Sequence, residues 1–95
     1  MSLSNQQKKN LKIHAHALKP VVRLGQSGLT ATVLDEIELS IEHHELIKIK
    51  IVAANRDDKK NIITEIAEKT QAEVVQTIGF VAVLYRENID KKNYS

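Results

Sequence analysis

The residues of this 95-residue chain best suited to chemistry are glycines and lysines rather than acids and nucleophiles. Gly25-Gln26-Ser27-Gly28 follows a short apolar run, Val21-Val22-Arg23-Leu24, and precedes a helical pattern that starts near Thr30. Glycines so placed let the backbone approach a ligand closely, and the unpaired N–H groups of a following helix attract anions. The chemistry on offer is capture of phosphate by amides near Gln26, Ser27 and Leu29. A steric explanation competes with it, because a tight strand-to-helix turn demands glycine whether or not anything binds. A mononucleotide site fits less well. Leu29-Thr30 stands where a P-loop has Lys and Ser/Thr, and the third glycine of a dinucleotide fingerprint is missing.

Other constellations offer less. His14-x-His16 could suggest a metal pair, but on a helix positions i and i+2 point about 200° apart and cannot share an ion. His43 and His44 diverge in the same way. Asp57-Asp58 reads as a helix start and Asp35-Glu36 as surface acid, and no nucleophile–base–orienter pattern emerges. The absence of cysteine removes disulfides and thiolate metal sites. The expectation is a protein without metal, cofactor or catalytic residues.

Charge along the chain is more telling than the net +2. Residues 1–23 carry Lys8, Lys9, Lys12, Lys19 and Arg23 with no acid. Residues 24–45 carry Asp35, Glu36, Glu38, Glu42 and Glu45 with no base. Basic residues return in Lys48, Lys50, Arg56, Lys59 and Lys60, against Asp57 and Asp58. Segregation of this kind suggests a polyanion-binding face, although surface ion pairing explains it equally well from sequence alone. Beside the basic residues, the GxxG loop fits the way KH modules clamp a nucleotide backbone. The only aromatic residues are Phe80, Tyr85 and Tyr94, which argues against a reader that stacks base after base.

The elements that must position these residues can be read from caps and periodicity. Ser4-Asn5-Gln6-Gln7 matches a capping box. The helix it opens sets Leu11, Ala15, Leu18, His14, Ala17 and Ile13 on one broad side and Lys8, Lys9, Lys12 and His16 on the other, with Pro20 ending it. A short strand to Leu24 and a helix capped by Thr30 follow. The helix has Val33, Ile37 and Ile41 inward and Asp35, Glu38, Glu42 and Glu45 on one sector. In Leu46–Val52, Ile47, Ile49 and Ile51 alternate with Lys48 and Lys50, giving one core face and one wet, basic face. A third helix is capped around Asp57 or Asp58. Val74–Ile78 and Phe80–Tyr85 make a hairpin about Gly79. The expected fold is therefore α/β in the order αβαβαββ, a four-stranded mixed sheet with helices packed on one face.

Size and composition permit one domain over residues 1–86, with a polar, flexible tail at 87–95. No apolar stretch reaches the roughly 18 residues of a membrane span, and the N-terminus lacks a signal peptide's apolar stretch. These features lead us to expect a soluble, cytoplasmic monomer that engages no membrane.

Four blocks then combine. They are Ala15-His16-x-Leu18-Lys19-Pro20-Val21-Val22, Leu24-Gly25-Gln26-Ser27-Gly28-Leu29-Thr30, His44-Glu45-Leu46-Ile47-Lys48-Ile49-Lys50, and Val75-Gln76-x-Ile78-Gly79 with Leu84-Tyr85-Arg86. Over roughly residues 8–86 the chain resembles the CRM domain (chloroplast RNA splicing and ribosome maturation), above all its stand-alone bacterial form, the YhbY family. The resemblance implies an RNA-binding domain related to the C-terminal domain of translation initiation factor 3, associated with precursors of the large ribosomal subunit. It also implies RNA contacts at Gly25, Gln26, Ser27 and Gly28, with a basic surface of Lys8, Lys12, Lys19, Arg23, Arg56 and Lys59. One position departs from the pattern: Phe80 follows Gly79 where relatives often carry a basic or polar residue. The hairpin tip is thereby open to an apolar contact with protein. Two other functions are compatible with the residues. One is a protein-interaction adaptor on the ribosome or its assembly factors, using the acidic helix with Leu39 and Phe80; the other, less supported, is a small enzyme for an anionic metabolite.

Overall fold

The computed structural model describes residues 3–25, 28–53, 55–88 and 90. Its elements are α1 (Asn5–Ala15), β1 (Val22–Leu24), α2 (Ala31–His44), β2 (Leu46–Ile51), α3 (Arg56–Thr70), β3 (Glu73–Ile78) and β4 (Val81–Tyr85), in the expected αβαβαββ order. Local caps set where the helices begin. Ser4 Oγ accepts from the Gln7 N–H while Gln7 Oε1 accepts from the Ser4 N–H. Thr30 Oγ1 accepts from the Val33 N–H. The cap of α3 is Asn55 rather than Asp57 or Asp58. Its Oδ1 takes the Asp58 N–H, and both acids occupy the first turn, where the helix dipole favours negative charge. Helix α1 stops earlier than Pro20 requires, because His16, Ala17 and Leu18 tighten into bonds to the third residue back.

The strand order is β1-β2-β4-β3, with β1 parallel to β2 and β4 antiparallel to both its neighbours. Strands β1, β2 and β3 thus run the same way, and α2 and α3 are the crossovers between them. Right-handed crossovers progressing in one direction place both helices on one face. There Ile37 and Ile41 of α2 and Ile63 and Ile66 of α3 meet Val22, Leu24, Ile47, Ile49, Ile51, Ala82 and Leu84. Fully buried isoleucines such as Ile37, Ile49 and Ile66 contribute about 1.5–3 kcal/mol each.

The expectation that all helices share one face is corrected. Helix α1 lies on the opposite face, where Leu11 and Ala15 pack on Leu46, Val75, Val83 and Tyr85. The cause is visible in β4, whose unbroken apolar run, Val81 to Tyr85, needs cover on both sides. The buried stripe of α1 is also narrower than expected, leaving Ile13 63% exposed. Burial of Tyr85 under α1, followed by the nearby carboxylates of Glu45 and Glu87, pushes its phenol above the usual pKa of 10.0.

A bulge interrupts β3. Val74 lies opposite Leu84 and Gln76 opposite Val83, leaving Val75 as the extra residue. The hairpin closes through Gly79-Phe80, between paired Ile78 and Val81. Gly79 has φ 55°, the conformation such two-residue turns require.

At the opposite end of the sheet, Arg86 fastens three elements. Its guanidinium donates to Glu38 and Glu42 of α2 and to the Thr70 carbonyl at the end of α3. Glu45, expected on one acidic sector with Asp35, Glu38 and Glu42, is fully buried at the end of α2 and accepts from the Asn88 N–H at 2.8 Å. Asn88 thereby holds the start of the stretch expected to be a loose tail; residues 91–95 lie outside the described residues. His43 and His44, expected to diverge, meet edge to face with ring centres 4.8 Å apart.

Candidate nucleic-acid interface

Because β1 and β2 are parallel, their C-terminal ends coincide, and so do the starts of α2 and α3. The hairpin tip reaches the same end: Lys50 lies opposite Val81, and the Ile51 N–H donates to the Phe80 carbonyl at 2.6 Å. Lys59 ties the tip to α3 by donating to the Gly79 carbonyl, also at 2.6 Å. The GxxG loop therefore shares this end with two helix N-termini and the hairpin.

The two glycines differ in what the fold asks of them. Gly28 has φ 71° and its N–H donates to the Gly25 carbonyl at 3.0 Å, so the turn itself requires it. That amide is already used and cannot also hold phosphate. Gly25 has no positive φ, and a Cβ there would meet nothing within 4 Å. Neither a positive φ nor crowding among the described residues accounts for a glycine there. Gln26 and Ser27 lie outside the described residues. A shallow pocket of about 340 Å³ joins Gly25 and Gly28 to Asp58, Asn61 and Ile62 of α3.

The second component is the part of the sheet that α1 leaves uncovered. Val83 faces α1, so its register neighbours Lys48 and Gln76 share that face. Two residues nearer the tip, Arg23, Lys50, Val81 and Ile78 make a parallel row across all four strands. Between these rows and the chain leaving α1 lies a groove of about 350 Å³, lined by His16, Leu18, Lys19, Pro20, Val81 and Ile78 among others.

Lys19 and Arg23 thus stand on the same face as Lys48 and Lys50. Lys8 and Lys12, half-buried beside the α1 seam, belong to the same helix but do not line the groove. Arg56 is exposed at the start of α3, and Lys59 has its partner in Gly79. Among the described residues the ion pairs are Lys69–Glu65 and those of Arg86 with Glu38 and Glu42. None of Lys8, Lys12, Lys19, Arg23, Lys48, Lys50 and Arg56 is paired with an acid there. The alternative of charges laced into surface ion pairs is not what the structure shows.

Lys48 and Lys50 were legible as a basic face but stood outside the candidate site set. Gln76 and Ile78 could not be placed from alternation, because the bulge reverses which face they occupy. No three His, Asp or Glu side chains among the described residues converge as metal ligands. No helix among them is long and apolar enough to cross a membrane.

Known proteins similar to this chain are named as RNA-binding proteins. An RNA-binding protein of Haemophilus influenzae is 52% identical over 91 residues, covering 96% of this chain and 92% of that one. The "Probable RNA-binding protein YqeI" of Bacillus subtilis is 31% identical over 90 residues, covering 95% of this chain and 94% of its own length. The solution structure of a Staphylococcus aureus protein superposes with a TM-score of 0.85 at 34% identity, covering 99% of this chain and 98% of that chain. Residues 3–86 match the CRS1 / YhbY (CRM) domain, and the chain belongs to that family.

Proposed function

We propose that this protein is a non-catalytic RNA-binding protein that acts, as a cytoplasmic monomer, on precursors of the large ribosomal subunit. The observation that carries the RNA-binding role is the unpaired set Lys19, Arg23, Lys48 and Lys50 on one sheet face, leading into a loop whose Gly25 the fold itself does not need. A phosphate backbone supplies what both lack, negative charge and a close neighbour. Relatives named as RNA-binding proteins support the same ligand. The role in large-subunit assembly rests on the family resemblance.

Binding of single-stranded RNA tests this directly. With about four phosphates neutralised, log affinity falls with log salt at a slope near −3, at about 0.7 per contact. Replacing Gly25 with Asp weakens binding while the unfolding midpoint stays in place. A flat salt response, or unchanged affinity in Gly25→Asp, removes the proposed interface. Cross-linking in cells, mapped at nucleotide resolution, tests the large-subunit assignment.

The adaptor alternative draws support from Leu39 and Phe80, 72% and 56% exposed. Against it, Glu38 and Glu42 of the acidic sector are already occupied by Arg86. Association with assembly factors that survives complete nuclease digestion would favour the adaptor.

A further inference from the structure

The sheet face beyond α1 is not uniformly polar. The floor of its groove is Val81 and Val83, its wall Leu18 and Pro20, and its open side Ile78. Ile78 is 61% exposed, an apolar side chain that the described residues leave open to solvent. Its rim carries Lys19, Lys48 and His16, and no acid lines it. Gln76, half-buried beside Val83, has a side-chain amide with no hydrogen-bond partner among the described residues. At about 350 Å³ the groove accepts a small planar group rather than a helix or an extended peptide.

We propose that this groove takes one unstacked RNA base. Resting on the RNA-binding function proposed above, the subsite seats the base between aliphatic walls, as apolar side chains hold extruded bases elsewhere. Its flanking phosphates lie on Lys19 and Lys48, and the amide of Gln76, both donor and acceptor, meets the base edge. The occupant follows from the combination of an apolar slot with a cationic rim. An apolar protein side chain would fill the slot but leave Lys19 and Lys48 without a counter-charge. Few aromatics therefore do not restrict this protein to the RNA backbone.

The test compares two probes at one salt concentration, a single-stranded RNA of about ten nucleotides and the same ribose-phosphate chain without bases. The base-bearing probe is expected to bind about tenfold more tightly. The double variant Gln76→Ala, Ile78→Ser changes an exposed and a half-buried side chain, so it folds. It is expected to abolish most of that difference while leaving affinity for the abasic probe unchanged. Gly25→Asp, in contrast, lowers affinity for both. Equal affinity for the two probes, or an equal loss for both in the double variant, overturns the base subsite while leaving the RNA-binding function standing. Unchanged RNA binding in the double variant, with loss of a nuclease-resistant protein association, assigns the groove to protein and also overturns the subsite. If neither probe binds in a salt-dependent way, the RNA-binding function fails with it.

Discussion

The two ends of the sheet use charge in opposite ways. At the Arg86 end, one half-buried guanidinium satisfies Glu38, Glu42 and the Thr70 carbonyl, and buried Glu45 receives the Asn88 amide. At the GxxG end, Lys19, Arg23, Lys48 and Lys50 have no acidic partner among the described residues. Each charge at the first end has a counterpart that joins two elements, so its loss is felt in folding. These four cations pair with no acid among the described residues, so under the proposed function their loss is felt only when RNA arrives. The same residue types are structural in one place and, under the proposed function, contact RNA in the other, and pairing tells them apart.

Breaking the functional end has the largest expected effect. With Lys19, Arg23, Lys48 and Lys50 all changed to Gln, the salt slope of RNA binding collapses. Parent affinity falls about fiftyfold between about 50 and 200 mM salt, if four contacts are made, while the variant's stays nearly flat. Its urea midpoint moves little, since exposed or half-buried cations without an acidic partner contribute within about 0.5 kcal/mol each. The converse variant, Arg86→Met, lowers unfolding free energy by about 2 kcal/mol, because it leaves the part-buried Thr70 carbonyl without its donor and removes both ion pairs to α2. RNA affinity measured on the folded fraction is unchanged. A smaller contrast lies inside the loop. Gly28→Ala costs about 1 kcal/mol through its positive φ, whereas Gly25→Ala is neutral or slightly stabilising in urea denaturation.

The finest contrast is in pH. The folded protein holds the Tyr85 proton above 10.0, where an unfolded tyrosine ionises. Stability from this group is complete below pH 10.0 and is lost as pH rises through the folded pKa. Comparing alkaline unfolding of the parent with Tyr85→Phe isolates it, and the fall is shallower in the variant. Identical alkaline profiles would show that Tyr85 does not report the burial under α1.

Most of the element order was legible because its signals are local: the Ser4–Gln7 box, the Thr30 cap, the Ile/Lys alternation in β2 and the turn at Gly79. Which face α1 occupies was not. Handedness governs α2 and α3 because each connects parallel strands, but α1 precedes the first strand and no such rule applies. The signal that could have settled it was the apolar run from Val81 to Tyr85, together with Leu46. The candidate site was legible in part for the same reason. Gly25, Gly28, Lys19 and Arg23 are adjacent along the chain and stay together in space. Lys59 was read as free charge because its partner, the Gly79 carbonyl, lies twenty residues away. Glu45 was grouped with Glu38 and Glu42, and its burial was not legible because the chain reverses at φ 63° there, which a helical wheel does not include.

The bulge at Val75 carries a last consequence. Upstream of it, β3 alternates in the phase that suits the α1 seam; downstream, the phase is shifted so that Gln76 and Ile78 look into the groove. One strand thus has two parities, one devoted to packing and the other to display. Side chains in the display segment can be exchanged without disturbing those that pack, and recognition can drift while the core stands still. Deleting Val75 would merge the two parities into one regular alternation, leaving Gln76 opposite Val83 while the α1 seam loses a buried side chain.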